Sequence, residues 1–311
     1  MSSKLFSKIC TALVTPFEAG GGIAVDAVAP LVEHMLSAGI KGFYVNGSTG
    51  AGFAQTTEER KTMLEATIAA TAGRVPVMCH VGGCDVADAV ALAEHAKTAG
   101  ATAVSSVTPG SYGREEPSDA AACRAYFMAV ASATDLPFYA YLLGGAAPSA
   151  AAFLAEMEGI PNLVGVKYTK ANFYVFQQII DITGAQAGKA PLNMLSGMDE
   201  CMIAGAIMGA DGAIGSTYNV MPATFSKMRS AFDSGDIAAA QALQTRANRA
   251  IALMIEACNC AERGTNIIGG IKAVLRARGI PVGMARARSA TPLGDDAEAA
   301  FVAKFLAMDL A

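Results

Sequence analysis

Residues 162–170 read NLVGVKYTK, a short apolar run that ends in a lysine. Of the eleven lysines, Lys167 alone terminates a long apolar strand-like run; Lys41 precedes its run, and the others fall on helical or loop patterns. Loss of water disfavours an ammonium, and the neutral amine it leaves is a nucleophile toward carbonyl carbon. The competing reading is a lysine whose stem packs along the strand while its head reaches solvent. A second group of interest lies in Phe138-Tyr139-Ala140-Tyr141, where period-two alternation points both tyrosines to one side. A phenol at a strand tip can pass a proton to and from a substrate oxygen, whereas packing is the competing role.

Other polar residues follow apolar runs in the same way. Ser48 and Thr49 lie in the glycine-flanked turn NGSTG, whose backbone N–H groups can converge on an anion such as a carboxylate. Gly197-Met198-Asp199-Glu200 places two carboxylates where they can accept hydrogen bonds from hydroxyl groups, although Asp199 also suits a helix N-cap. Gly215-Ser216-Thr217 follows another run. Alternation sets Thr169 on the side of Lys167, while Lys170 reads as a surface charge. His34, His80 and His95 have no metal-ligand spacing, so no metal is expected, and His80 reads as a hydrogen-bonded structural residue. Neither GSTGAGFAQ nor the glycines at 184 and 188 match a dinucleotide or phosphate-loop pattern.

Eight apolar runs must position these groups: ICTALVTPF, GFYVNG, PVMCHVG, AVSSVTP, LPFYAYL, LVGVKYT, PLNMLSG and DGAIGST. Helical periodicity fills the gaps between them, as at 25–38, 57–72, 86–99 and 120–133. The runs are apolar on both faces, which predicts a parallel sheet covered by helices. Eight βα units predict an α/β fold, a (β/α)8 TIM barrel whose chemistry sits at the C-terminal ends of the strands. A doubly wound sheet is the alternative, since the same alternation builds it. After about Met221 only helical patterns remain, at 222–234, 237–258, 265–278 and 296–308. The first completes the barrel and the other three form a C-terminal appendage, giving a catalytic barrel over 1–234 and a helical region over 235–311.

The bulk properties exclude several partners. The 311 residues carry 23 basic and 27 acidic side chains, a net charge of -4, with the basic ones scattered, which argues against nucleic acid. No apolar run approaches a membrane span, and the N-terminal MSSKLFSKICTALVTPF lacks a small-residue cleavage site, so a cytoplasmic location is expected. The seven cysteines, Cys10, Cys79, Cys84, Cys123, Cys201, Cys258 and Cys260, include no C-x-x-C pair and read as buried free thiols.

Over nearly its whole length the chain resembles the N-acetylneuraminate lyase and dihydrodipicolinate synthase superfamily, class I aldolases that act on pyruvate through a lysine Schiff base. The resemblance rests on NGSTG in the place of G-[ST]-T-G-E, on LPFYAY with its tyrosine four residues after proline, and on GVK. The strings CHVGG, AVSSVTP and GADGAIGSTYNVM resemble the sialic acid lyase branch. It implies that Lys167 forms the imine, Tyr141 relays the proton, and Ser48 and Thr49 hold the carboxylate. Thr169, Gly197, Asp199, Glu200 and Ser216 match positions that contact the sugar tail. Tyr112, in TPGSYGREEP, stands in the place of the family's second tyrosine, and Tyr139 is the alternative relay.

The resemblance further implies a homotetramer, a 2-keto-3-deoxy sugar acid such as N-acetylneuraminate as substrate with pyruvate as product, and no cofactor beyond the covalent imine. Ala51 replaces the usual glutamate, and Tyr141-Leu-Leu-Gly replaces Y-N-I-P or Y-H-I-P. Both departures surround the substrate's tail, so cleavage or dehydration of another sugar acid, or a synthase-like condensation, stays open beside sialic acid cleavage. A non-catalytic 2-oxoacid-binding barrel is the reading from a different class.

Overall fold

The computed structural model describes residues 4–107, 120–143, 149–185, 190–258, 267–286 and 293–310. The eight apolar runs form strands β1 (Ile9–Ala12), β2 (Phe43–Val45), β3 (Val77–His80), β4 (Ala103–Ser106), β5 (Phe138–Leu143), β6 (Leu163–Thr169), β7 (Asn193–Ser196) and β8 (Gly212–Gly215). They close in sequence order into one parallel barrel, which decides against the doubly wound alternative. Helices α1 (Val28–Ser37), α2 (Thr57–Thr71), α3 (Val86–Ala99), α4 (Ala120–Ser132), α5 (Ala150–Met157), α6 (Phe173–Gly184), α7 (Met202–Ile207) and α8 (Pro222–Asp233) follow the strands in turn. Beyond them lie three C-terminal helices among the described residues: α9 (Ile237–Ala257), α10 (Ile268–Ala277) and α11 (Asp295–Leu306).

Two compact units divide the chain: residues 1–8 with 76–214, and residues 9–75 with 215–311. In the first, β3 to β7 pair in register, and every residue of β3, β4 and β7 is buried. The pairing of β5 with β6 contains one irregularity that matters. Phe138 pairs with Leu163, but Tyr139 pairs with Gly165, so Val164 is an extra residue in β6. Above this bulge the register runs Tyr141 to Lys167 and Leu143 to Thr169. Without it, Val166 would lie beside Tyr141, because a one-residue slip exchanges the two faces of a strand. Gly165 is required there: a Cβ would sit 2.2 Å from the Tyr139 ring.

In the second unit, β2 leads into a turn over 46–52 and then into α2, which starts in a capping box. Thr56 Oγ1 accepts from Glu59 N, while Glu59 Oε2 accepts from Thr56 N. The predicted helix at 25–38 is a 3-10 turn, Val25–Ala27, followed by α1. Residue 265, the predicted start of the penultimate helix, lies outside the described residues, within which that helix begins at Ile268.

Three expectations need correction. Lys170 is only 5% exposed, not a surface charge. Position 170 directly follows β6 and continues the outward alternation of Val166 and Tyr168, and in a covered parallel barrel that side faces the helix layer rather than water. Asp199 is not the N-cap: Met198 holds that place without a side-chain bond, and Asp199 opens the 3-10 turn itself. Among the thiols, Cys10, Cys79, Cys123 and Cys258 are buried, but Cys84 and Cys201, in the connections after β3 and β7, are half-buried. Cys260 lies outside the described residues.

Candidate active site

Lys167 is 4% exposed and stands near the C-terminal end of β6, where Val166 and Tyr168 on either side are fully packed. Burying a side chain such as Val166 or the adjacent Phe176 contributes ~1.5–3 kcal/mol, which anchors the strand that carries the costly amine. The Lys167 Nζ lies over the Tyr141 ring, 4.0 Å from its centroid. On β3 the ring of His80 meets Tyr141 edge to face at 5.8 Å. His80, Tyr141 and Lys167 thus form one contiguous set, with His80 packed against the tyrosine.

The three tyrosines near the lysine are separated by their environments. Tyr139 lies one pleat lower and donates its hydroxyl to Asn193 Oδ1 at 2.8 Å, with Phe6 edge-on to its ring at 5.6 Å. Asn193 in turn donates to the carbonyl of Phe6, and this places the Tyr139 hydroxyl in a buried structural network. Tyr168 faces the helix layer, packs on Phe176 at 5.2 Å and donates to the carbonyl of Asn172, while burial pushes its phenol up to about 12. Tyr141 is the one paired with Lys167. Tyr112 lies outside the described residues.

Thr169 follows on the same side of β6 as Lys167, and its Oγ1 is buried with no hydrogen-bond partner among the described residues. An unmet buried hydroxyl is costly and invites a ligand polar group. The residue at 197 must be glycine, because a Cβ there would lie 1.9 Å from that same Oγ1. Gly197 N donates to the carbonyl of Tyr168 at 2.8 Å. Asp199 is buried and Glu200 is exposed, so the two adjacent carboxylates occupy different environments.

The second unit holds the remaining candidates. Thr49 is buried, and its Oγ1 lies 2.6 Å from Ser216 Oγ, a shared hydrogen bond between the loops after β2 and β8. Ser48 is half-buried beside it. The turn that presents them is built from backbone that side chains ordinarily avoid: Asn46 has φ 62° and Ala51 φ 55°. Each such position costs ~1–3 kcal/mol and persists only where the surroundings over-determine it. Glycine makes the rest possible, since a Cβ at 47 would strike the Tyr44 ring at 2.4 Å and one at 52 would lie 2.0 Å from the carbonyl oxygen of Asn46. Asn219, absent from the sequence reading, is fully buried; it donates to the carbonyls of Ala12 and Ser216 and accepts from Val14 N. Its signal was the STYN string, in which asparagine ends a 3-10 turn.

The fold and these side chains define a class: a (β/α)8 barrel that carries a buried amine beside a phenol on neighbouring strands, with a glycine-rich hydroxyl turn after β2. Residues 5–307 match the dihydrodipicolinate synthetase family, and the chain belongs to that family. It is similar to the N-acetylneuraminate lyase of Rhizobium meliloti, 32% identical over 89% of this chain and 87% of that one. Among solved structures it is similar to Proteus mirabilis N-acetylneuraminate lyase, with 28% identity, a TM-score of 0.87, and 98% and 99% of the two chains covered. A catalytic lysine mutant of Ruminococcus gnavus sialic acid aldolase matches at 27% identity and a TM-score of 0.87, over 99% of this chain and 96% of that one.

Proposed function

We propose that this protein is a class I, Schiff-base aldolase, a carbon–carbon lyase that cleaves N-acetylneuraminate reversibly to N-acetylmannosamine and pyruvate. The observation that carries the reading is the register that sets Lys167 beside Tyr141 at the C-terminal end of β6. The relatives bearing the lyase name support the substrate.

In this mechanism the Lys167 amine adds to the C2 ketone of the open-chain sugar acid, and loss of water gives an iminium. Tyr141, together with the substrate carboxylate, removes the C4 hydroxyl proton. The C3–C4 bonding pair moves into the iminium, so an aldehyde departs and an enamine of pyruvate remains on the lysine. Protonation at C3 and addition of water then release pyruvate and restore the amine. Ser48 and Thr49 hold the carboxylate, and Thr169, Gly197, Asp199, Glu200 and Ser216 receive the hydroxylated tail. The covalent imine supplies the electrophile, so the reaction as written calls for no metal or diffusible cofactor. We read residues 1–234 as the catalytic barrel and 235–311 as the helical region, and the working enzyme as a cytoplasmic homotetramer, which light scattering of the purified protein tests.

A second reading keeps Lys167 and changes the acid. Ala51 and the Leu142-Leu143 pair after Tyr141 alter the surroundings of the tail, which favours testing other 2-keto-3-deoxy acids. Pyruvate release is measured with N-acetylneuraminate and 2-keto-3-deoxygluconate, and turnover of the second alone moves the assignment to that acid. Incubation with pyruvate and borohydride, followed by peptide mass spectrometry, tests the imine: an adduct on Lys167 is expected, and its absence leaves the non-catalytic barrel.

A further inference from the structure

The strained turn that carries Ser48 and Thr49 is braced from outside itself. Thr15 Oγ1 donates to the carbonyl of Gly50 at 2.6 Å, and Gln55 Nε2 donates both to that carbonyl at 2.7 Å and to Thr15 Oγ1 at 3.0 Å. Gln55 in turn directly follows Ala54, where the turn's 3-10 exit ends. The Ala54 carbonyl accepts from Arg286 Nη1 at 2.7 Å. The same guanidinium grips Glu59 at the start of α2 through both Nη atoms, donates to the carbonyl of Gly21, and lies over the Phe17 ring at 4.2 Å.

Phe17 is itself held by the segment that leads to Arg286. Its N–H donates to the carbonyl of Val282, and Gly283 approaches so closely that a Cβ would meet the Phe17 oxygen at 1.9 Å. An exposed ion pair contributes little and leaves its partners loose. Arg286 is different in kind: a planar fork with a bidentate carboxylate, two backbone carbonyls and an aromatic face has one geometry that meets them all.

We propose that Arg286 is a positioning residue for the 46–52 turn, tying the turn's exit and the start of α2 to the loop after β1 and so holding Ser48 and Thr49 in their binding geometry. This rests on the assignment of Ser48 and Thr49 to the substrate carboxylate. Arg286 touches no substrate; it acts through Ala54, Gln55 and Gly50. Its removal therefore weakens recognition of the carboxylate and leaves the amine chemistry of Lys167 in place.

The test measures borohydride trapping on Lys167 of the full-length protein with pyruvate and with methyl pyruvate, whose ester carries no charge. The wild type prefers pyruvate. Arg286→Ala lowers that preference by about fivefold, within the range that contacts remote from a ligand carry, through a higher half-saturating pyruvate concentration at an unchanged limiting rate. Arg286→Lys, which keeps the cation but not the fork, falls between the two, and Thr15→Val shifts the preference in the same direction. Should Arg286→Ala fail to fold, Arg286→Lys and Thr15→Val carry the test by the same criterion. A preference unchanged in the folded variants, or a parallel loss with both compounds, overturns the proposal. A wild type without an adduct on Lys167 overturns the functional reading and this inference with it.

Discussion

Among the described residues two lysines are buried over aromatic rings, and only one stands at the C-terminal end of a barrel strand. Lys167 is 4% exposed with its amine 4.0 Å from the Tyr141 ring; Lys272, on α10, is 1% exposed with its amine 4.4 Å from the Phe17 ring. Lys272 spends its N–H groups on the carbonyls of Val282 and Met284, at 3.1 and 2.9 Å. Burial, with the charges of Arg276 and Arg286 added, pulls its ammonium down to about 7. Depth and a ring contact thus leave the Lys272 amine bonded to carbonyls of its own chain. Lys167 differs in standing at the C-terminal end of a barrel strand, where this fold builds its sites, beside a phenol on the neighbouring strand.

The sharpest way to break this comparison is Lys167→Ala. Turnover is expected to fall by at least about a thousandfold, the scale seen when a covalent nucleophile is removed, and borohydride trapping with pyruvate is expected to vanish. An adduct on Lys272 of that variant, found by peptide mass spectrometry, would erase the distinction. Next in size, Tyr141→Phe keeps the ring under the amine but removes the hydroxyl proposed as the proton relay. Its kcat drops by about 10²–10⁴, while the imine with pyruvate still forms and is still trapped.

Tyr139→Phe separates the two tyrosines of the FYAY string. Loss of its bond to Asn193 costs ~1 kcal/mol of stability, read from the urea midpoint, with kcat held. A large loss of kcat in Tyr139→Phe with little in Tyr141→Phe would exchange their roles. Period-two alternation could not tell the two apart, because both tyrosines share a face; the bulge at Val164 distinguishes them by setting Gly165 beside Tyr139 and Lys167 beside Tyr141.

The pH dependence of stability sharpens the other half of the comparison. The Lys272 pKa is lowered from 10.5 to about 7 in the folded state, so between those values the unfolded chain binds the extra proton. Stability therefore rises with pH across that window, and the contribution is lost as pH falls toward 7. Lys272→Met flattens this rise in denaturant titrations at pH 7 and pH 10; an unchanged slope would remove Lys272 as its source. The smallest effect is expected at Ala51→Gly, which relieves a left-handed residue and gains up to about 1 kcal/mol in the urea midpoint.

Much of the molecule was legible before any fold was known. Eight apolar runs separated by helical periods point to a parallel sheet covered by helices, since both faces of each strand must be covered, although the same alternation also builds a doubly wound sheet. The lysine within NLVGVKYTK stands out because an apolar strand rarely ends in a charge. The hydroxyls of NGSTG were legible for the same local reason: glycines on either side of Ser-Thr mark irregular backbone. Less visible were the residues whose roles depend on partners far along the chain. Asn219 bonds the Ala12 carbonyl and the Val14 N–H, 207 and 205 residues earlier, Arg286 meets Glu59 and Ala54, and Lys272 looks on its helix like any solvated lysine.

What the sequence determined by itself, then, was the order of the elements and the chemical groups at their ends, because periodicity and residue type are local properties. Only the tertiary structure decided the register, the burial of Lys170 and Lys272, and the bracing of the strained turn. Register depends on a single extra residue in β6 whose place is chosen by the fit of the Tyr139 ring over Gly165. Burial depends on what packs against a residue from elsewhere, and neither is written in the spacing of one segment.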